Sequence, residues 1–388
     1  MKTGMETGEL TSLTFEMGPS RPPSEAQSLM LRATRGCPWH RCEFCSSHRT
    51  TRLQIRSVEE IKKDIETVRI IADKIREMSW RKGYGGNIRQ AAASVYENPL
   101  NNSFRIVALW LYFGGENVFL QDADSLIMRT PQLAEVLRFL RQTLPSVTRI
   151  TTYGRSKTAS RKTLDEMKEL CAAGLTRLHV GLESGSDEVL SYVCKGVTAA
   201  EHIDGGRKVV ESGISLCEYV MPGLGGRRWK AEHPRETARV LNEINPDFIR
   251  LRSLAIREDI PLYQKYEIGD FELLSDDEVV EEIGELIQGL EVTSYLASDH
   301  IENLLQEVDG QLPGDKERML GFISRYLAIP PEERLNFRLG RRMGYYTDLN
   351  DFSNVHKRER TEQIIRGTRS RGEDIEEVIF NLKKRFLV

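Results

Sequence analysis

Apolar residues recur along this chain with two alternating periods. Leu29-Met30-Leu31 is a short apolar run that reads as a strand, and five more strands are predicted: Val118 to Leu120, Val147 to Tyr153, Thr176 to Leu182, Ile214 to Met221 and Phe248 to Leu254. Between them the period lengthens to that of a helix. Ser57-Val-Glu-Glu60 is a capping box that opens a helix carrying Ile61, Ile65, Val68, Ile71, Ile75 and Met78 on one stripe. Further helices are predicted from near Pro131 and over Lys162 to Ala173, Asp187 to Val193, Ala199 to Ser212 and Pro234 to Ile244. Phe104 to Phe113 is apolar throughout and fits either a strand or a buried helix. Strands alternating with helices imply parallel pairing and right-handed crossovers, so the class is α/β.

The flanks lack this alternation. Met1 to about Ser28 is rich in Gly, Ser, Thr, Glu and Pro and reads as an irregular arm without identifiable chemistry. Arg81 to Glu116 is an excursion that a minimal βα repeat does not need. Beyond Arg257 the strand pattern stops. A second capping box, Ser275-Asp-Asp-Glu278, is followed by helical patterns through Leu286, Leu305 and Phe322 to a last helix from Ile375 to Phe386. Ser298-Asp299-His300 and Asn303 are expected at a helix start, where His300 is either a substrate contact or, more commonly, a capped surface residue. Arg338 to Arg342 and Arg366 to Arg371 are basic runs, expected as solvated faces, with phosphate or RNA contact the less favoured use.

Length and charge narrow the choices. A chain of 388 residues can bury a large core, and no apolar run approaches the roughly 20 residues of a bilayer span, so a membrane partner is not expected. A formal charge of −3 offers no global attraction to nucleic acid, which is not favoured as a partner.

The cysteines change the picture. Three of the six, Cys37, Cys42 and Cys45, fall within nine residues directly after the first strand, in Gly36-Cys-Pro-Trp-His-Arg-Cys-Glu-Phe-Cys45. Three thiols so close cannot all pair as disulfides, no secretory leader is read, and a metal is expected to compensate their charge. Zinc would need a fourth ligand, for which His48 or His40 is available. An iron–sulfur cube on three cysteines leaves one iron open for a substrate. Cys171, Cys194 and Cys217 stand apart and read as buried or free thiols.

This loop and the strand repeat resemble the radical S-adenosylmethionine (SAM) superfamily, closest to the branch that includes tRNA methylthiolases, the Elongator catalytic subunit and oxygen-independent coproporphyrinogen oxidase-like proteins. The superfamily usually has three residues between its first two motif cysteines and two between the next; here there are four, then two. The resemblance implies a partial, open (β/α)6 barrel over 29–256, with an insertion at about 81–116, an arm at 1–28 and a helical C-terminal extension at 257–388. It implies a [4Fe-4S] cluster on Cys37, Cys42 and Cys45, with SAM as partner in a reaction that yields a 5′-deoxyadenosyl radical. It further implies an electron donor such as flavodoxin or ferredoxin, an unidentified substrate, and a cytoplasmic setting suited to an oxygen-sensitive cluster. The competing expectation is a zinc-stabilised binding protein without turnover.

The same resemblance singles out SAM contacts. Phe44 matches the aromatic common before the last cysteine. Gly114-Gly115-Glu116 spells the superfamily's amino-group motif, but a glycine pair also closes helices, and Asp122 and Asp124 after the second strand are set ahead of Glu116 for the amino group, with Ser125 a further candidate contact beside them. Tyr153 ends the third strand. Period-two alternation sends His179, Gly181 and Glu183 to the interior of the barrel, with Glu183 and Ser184 at the fourth strand's end. Met221 and Gly223 belong to the glycine-rich close of the fifth strand, where backbone can approach a flat ring. Arg250 and Arg252 face inward from the sixth, seeking SAM, a substrate acid, or Glu183 and Glu218.

Overall fold

The computed structural model describes residues 10–19 and 22–385, so Met1 to Glu9, part of the arm, and Phe386 at the close of the last helix lie outside it. By contacts the chain forms two compact units that interleave along the sequence. Among the described residues, the first spans 10–40, 47–180 and 208–216; the second spans 41–46, 181–207 and 217–385.

In the first unit, parallel strands β1 (Leu29–Arg32), β4 (Asn117–Gln121), β5 (Arg149–Gly154) and β6 (Arg177–Glu183) lie in that order. Their registers include Leu31 opposite Leu120, Leu120 opposite Thr152, and Thr152 opposite Leu178. Two-residue strands β2 (Thr34–Arg35) and β3 (Gln54–Ile55) pair antiparallel and close the neck of the cysteine loop. Helix α1 (Val58–Arg81) starts at the predicted capping box, with Ser57 and Glu60 bonded reciprocally, and buries Ile61, Ile65, Val68, Ile71 and Ile75. The excursion is helical: α2 (Ile88–Glu97) precedes α3 (Asn102–Tyr112), which resolves the ambiguity of Phe104 to Phe113. Asn101 caps α3 by accepting from the N–H of Phe104, and Gly114 and Gly115, both at positive φ, end it. Helices α4 (Thr130–Thr143), α5 (Ser156–Arg161) and α6 (Leu164–Ala173) complete this unit's βα repeats.

In the second unit, β7 (Ser215–Val220) pairs parallel with β8 (Phe248–Leu251), and helices α7 (Asp187–Tyr192), α8 (Ala199–Glu211) and α9 (Glu232–Ile244) connect the repeat. The α/β class with mostly parallel strands is thus as expected. The strand pattern does not stop at Arg257, however. After α10 (Pro261–Glu267) and α11 (Asp276–Gly289), β9 (Tyr295–Ala297) adds to β8 in parallel and β10 (Gly310–Gln311) adds antiparallel. Three residues are too few to display alternation, so β9 gives no periodic signal. Ser298 to Asn303 therefore follow a strand in a turn and do not start a helix, and Leu305 also lies outside any helix. Helices α12 (Lys316–Leu327), α13 (Pro331–Arg342), α14 (Val355–Ser370) and α15 (Ile375–Arg385) complete the extension.

One expectation about charge is corrected. Arg338 and Arg342 are buried, not solvated. Asp276 Oδ1 accepts from Arg342 Nη2 and Lys383 Nζ, both at 3.0 Å, and Arg338 pairs with Glu376, so these guanidinium groups tie α13 to α11 and α15. Burial pushes the Asp276 carboxyl up, but Arg342 and Lys383 overcome it and leave the group well below the usual range. The described part of the arm is irregular yet pinned. Phe15 is buried, Glu16 pairs with Arg32 and Arg35, and Glu25, fully enclosed, lies 3.0 Å from Arg149 Nη2 and 3.5 Å from His179 Nε2.

Candidate active site

The cysteine loop leaves β2 at Gly36 and returns at β3. None of the six cysteines is in a disulfide, and Cys37, Cys42 and Cys45 are each half-buried. The segment around Cys42 and Cys45 is pinned by its backbone: Glu43 N–H donates to Val193 O at 2.9 Å, and Glu43 O accepts from Leu262 N at 3.0 Å. Glu43 Oε2 lies 2.7 Å from Lys265 Nζ, and Cys42 Sγ lies 4.0 Å from Lys195 O. Phe44 packs against a core of Val189, Val193, Leu224, Leu254 and Ile260, with Lys195 Nζ 5.4 Å from its ring centre.

The remaining candidates divide by exposure. Asp122, Asp124, Ser125, Ser184 and Gly223 are buried and locally engaged. Asp122 Oδ2 accepts from Arg32 and from Gly36 N–H. Asp124 accepts from Thr158 Oγ1 at 2.5 Å and from Arg155 N–H at 3.3 Å, so it shapes the start of α5. Burial raises its carboxyl to about 6 against the lowering effect of Thr158 and Arg155. Ser125 Oγ lies 2.7 Å from Thr152 Oγ1. Ser184 Oγ accepts from Ser186 N–H, and Ser186 in turn caps α7. The Gly223 N–H donates to Glu282 Oε1 at 2.8 Å, the oxygen that also meets His233 Nδ1 at 3.0 Å.

Phe44, Tyr153, Glu183, Met221 and Arg252 stay partly exposed. The Tyr153 ring sits edge-on to Phe119 and His179. Glu183 takes a left-handed backbone, φ +63, and its carboxylate pairs with Lys195. Its carbonyl accepts from Met221 N–H. The Arg252 guanidinium lies 5.0 Å from the Tyr219 ring centre. Arg250 pairs with Asp299 instead of Glu183 or Glu218, and Glu116 is exposed, with its carbonyl bonded to Thr148 and Arg149. His300 is half-buried; burial and Arg252 depress its ring to about 4, leaving it neutral near pH 7. Beside the glycine-rich loop a cavity of about 450 Å³ is lined by Gly223, Leu254, Tyr266, Asp276, Arg338 and Phe380, among others.

Lys195, Glu282 and His233 carry no sequence signal. Lysine reads as surface by default, and the clamp on Gly223 is assembled from side chains about fifty residues apart. Among the described residues no three His, Cys, Asp or Glu side chains are grouped so as to hold a metal ion. His48, the alternative fourth zinc ligand, is buried with Nε2 3.2 Å from Asp122 Oδ1. In kind and number, three reduced thiols on a segment without helix or strand fit a cluster that itself draws its ligands together.

The model of the radical SAM superfamily matches residues 95–240, from α2 through most of α9, and over that stretch the chain carries a radical SAM domain. Domains of this class are enzyme domains whose cofactors are a [4Fe-4S] cluster and SAM. The chain is also similar to the tRNA uridine(34) acetyltransferases of Methanocaldococcus jannaschii, 22% identical over 117 residues, and Methanocaldococcus infernus, 24% identical over 119 residues. Each match covers 30% of this chain and 22% of the relative's own length. Among solved structures, methylornithine synthase superposes on 71% of this chain and 68% of its own with a TM-score of 0.41 and 11% identity. Among the described residues no helix is long and apolar enough to cross a membrane.

Proposed function

We propose that the protein is a radical SAM enzyme in which Cys37, Cys42 and Cys45 hold a [4Fe-4S] cluster, within a catalytic core of 29–256 and beside a helical extension of 257–388. The observation that carries this reading is three cysteines outside any disulfide on one loop, Cys37, Cys42 and Cys45, in a chain whose residues 95–240 match the radical SAM model. When bound, the cluster supplies the electron that splits SAM into methionine and a 5′-deoxyadenosyl radical, which takes hydrogen from the substrate. The chain's part is to bind, orient and shield. Phe44, Tyr153, Glu183, Met221 and Arg252 are the SAM contacts on this reading, because they keep exposed surface, whereas the buried candidates are consumed by local bonds. A small one-electron donor such as flavodoxin or ferredoxin, and a cytoplasmic setting, go with this chemistry.

The test is anaerobic reconstitution with iron and sulfide, followed by dithionite and SAM. Brown protein releasing 5′-deoxyadenosine, with colourless and inert Cys37→Ala, Cys42→Ala and Cys45→Ala variants, is the expected result. Stoichiometric zinc and no SAM cleavage would replace this reading with a binding protein.

A further inference from the structure

Asp122 is fully enclosed at the end of β4, and its carboxylate touches both flanks of the cysteine segment. Oδ2 accepts from the N–H of Gly36, the residue before Cys37, at 3.0 Å and from Arg32 Nη2 at 2.7 Å. Oδ1 stands 3.2 Å from Nε2 of His48, three residues after Cys45 and itself buried. The near flank is fixed in a second way. Gly36 has φ +78, and a Cβ there would lie 2.6 Å from the carbonyl oxygen of Thr51, so the outgoing and returning strands of the loop are in backbone contact. Arg32 is held in turn by Glu16 and by the carbonyl of Thr34.

A loop whose thiols must converge on one metal group loses conformational freedom when it does so. Anchoring its two flanks beforehand removes part of that loss and strengthens binding without any new contact to the metal. The Asp122 carboxylate is too enclosed to meet a small molecule unless Arg32 is displaced.

We infer that Asp122 is a positioning residue that gathers Gly36, Arg32 and His48 on one carboxylate and so anchors the two flanks of the cysteine loop before the cluster draws its thiols together. The inference rests on the reading that this loop binds a cluster and gives Asp122 a role there other than contact with SAM.

Two measurements on the full chain test it: amide exchange of the metal-free protein, and iron retention against a chelator after anaerobic reconstitution. In Asp122→Ala, exchange over 37–47 should rise by about tenfold or more with α1 and α4 unchanged, and iron should be lost at correspondingly lower chelator concentration. Asp122→Asn, which keeps an acceptor for Gly36, should fall between. Unchanged loop exchange and iron retention in Asp122→Ala overturn the inference, as does a variant that keeps both and loses only SAM binding. If Asp122→Ala loosens α1 and α4 as well, His48→Asn decides, because it touches the far flank alone. Faster exchange confined to the loop with weaker iron retention supports the clamp, and no change in either refutes it. A wild-type chain that takes up no iron defeats the cluster reading instead, and the exchange comparison still decides the clamp.

Discussion

Lys195 Nζ lies 2.9 Å from Glu183 Oε1, and both atoms stand over the bare Cα of Gly181. A Cβ at Gly181 would approach Glu183 Oε1 to 2.1 Å and Lys195 Nζ to 2.9 Å, so the glycine is what admits the pair. Both side chains are 12% exposed. Removing one partner leaves a poorly solvated charge, which for buried pairs costs about 3 kcal/mol, whereas removing both costs much less. Lys195→Met should therefore lose about 3 kcal/mol of unfolding free energy, and Lys195→Met with Glu183→Gln should recover more than half of that. Denaturant titration of the singles and the double provides the cycle. Additive losses would mean that the two groups act independently.

Asp124 gives a pH dependence whose sign follows from burial. Its folded carboxyl titrates at about 6, above the unfolded Asp value of about 3.9. The folded state therefore holds its proton longer than the unfolded chain. The stabilisation is complete below the unfolded value and is lost as pH rises through 6, amounting to about 3 kcal/mol for two pH units. Asp124→Asn keeps one acceptor oxygen, for the Arg155 N–H, presents an amide N–H to the Thr158 hydroxyl, which can accept it, and cannot ionise. The difference in stability between wild type and Asp124→Asn should shift in the variant's favour from pH 4 to pH 7 and then level off. Parallel profiles over that range would show that Asp124 does not titrate between the two states.

Most of the repeat was legible because each element is long enough to show its period or carries a cap. The stripe from Ile61 to Ile75 and the caps at Ser57 and Ser275 are local signals, and the structure contains them where they were expected. The parts that were not legible depend on residues distant in sequence. Tyr295 to Ala297 is a strand because Phe248 to Arg250 offers an open edge, and the basic residues at 338 and 342 are buried because Glu376 and Asp276 meet them. At the candidate site, the chemistry of Asp122 and Asp124 was legible but their exposure was not. Both carboxylates were expected to be available, and each is enclosed by donors supplied from other segments of the chain.

Glu218 presents the opposite case, a carboxyl with no donor at all. It lies in β7 opposite Ile249, on the strand face it shares with Leu216 and Val220, and it is 1% exposed with neither oxygen hydrogen-bonded. Burial pushes its carboxyl well above the usual range despite the opposing charge of Lys195, and Glu183 adds to the rise. Even as a neutral acid it carries two desolvated oxygens, a penalty of about 1 to 3 kcal/mol. Glu218→Leu, similar in volume and matched to its aliphatic neighbours, should raise unfolding free energy by about that amount. Glu218→Gln, which keeps the unmet polar atoms, should not. Thermal and denaturant unfolding of the two variants separates the cases: a Leu variant less stable than the Gln variant would mean that the carboxyl has a partner that stabilises it in solution.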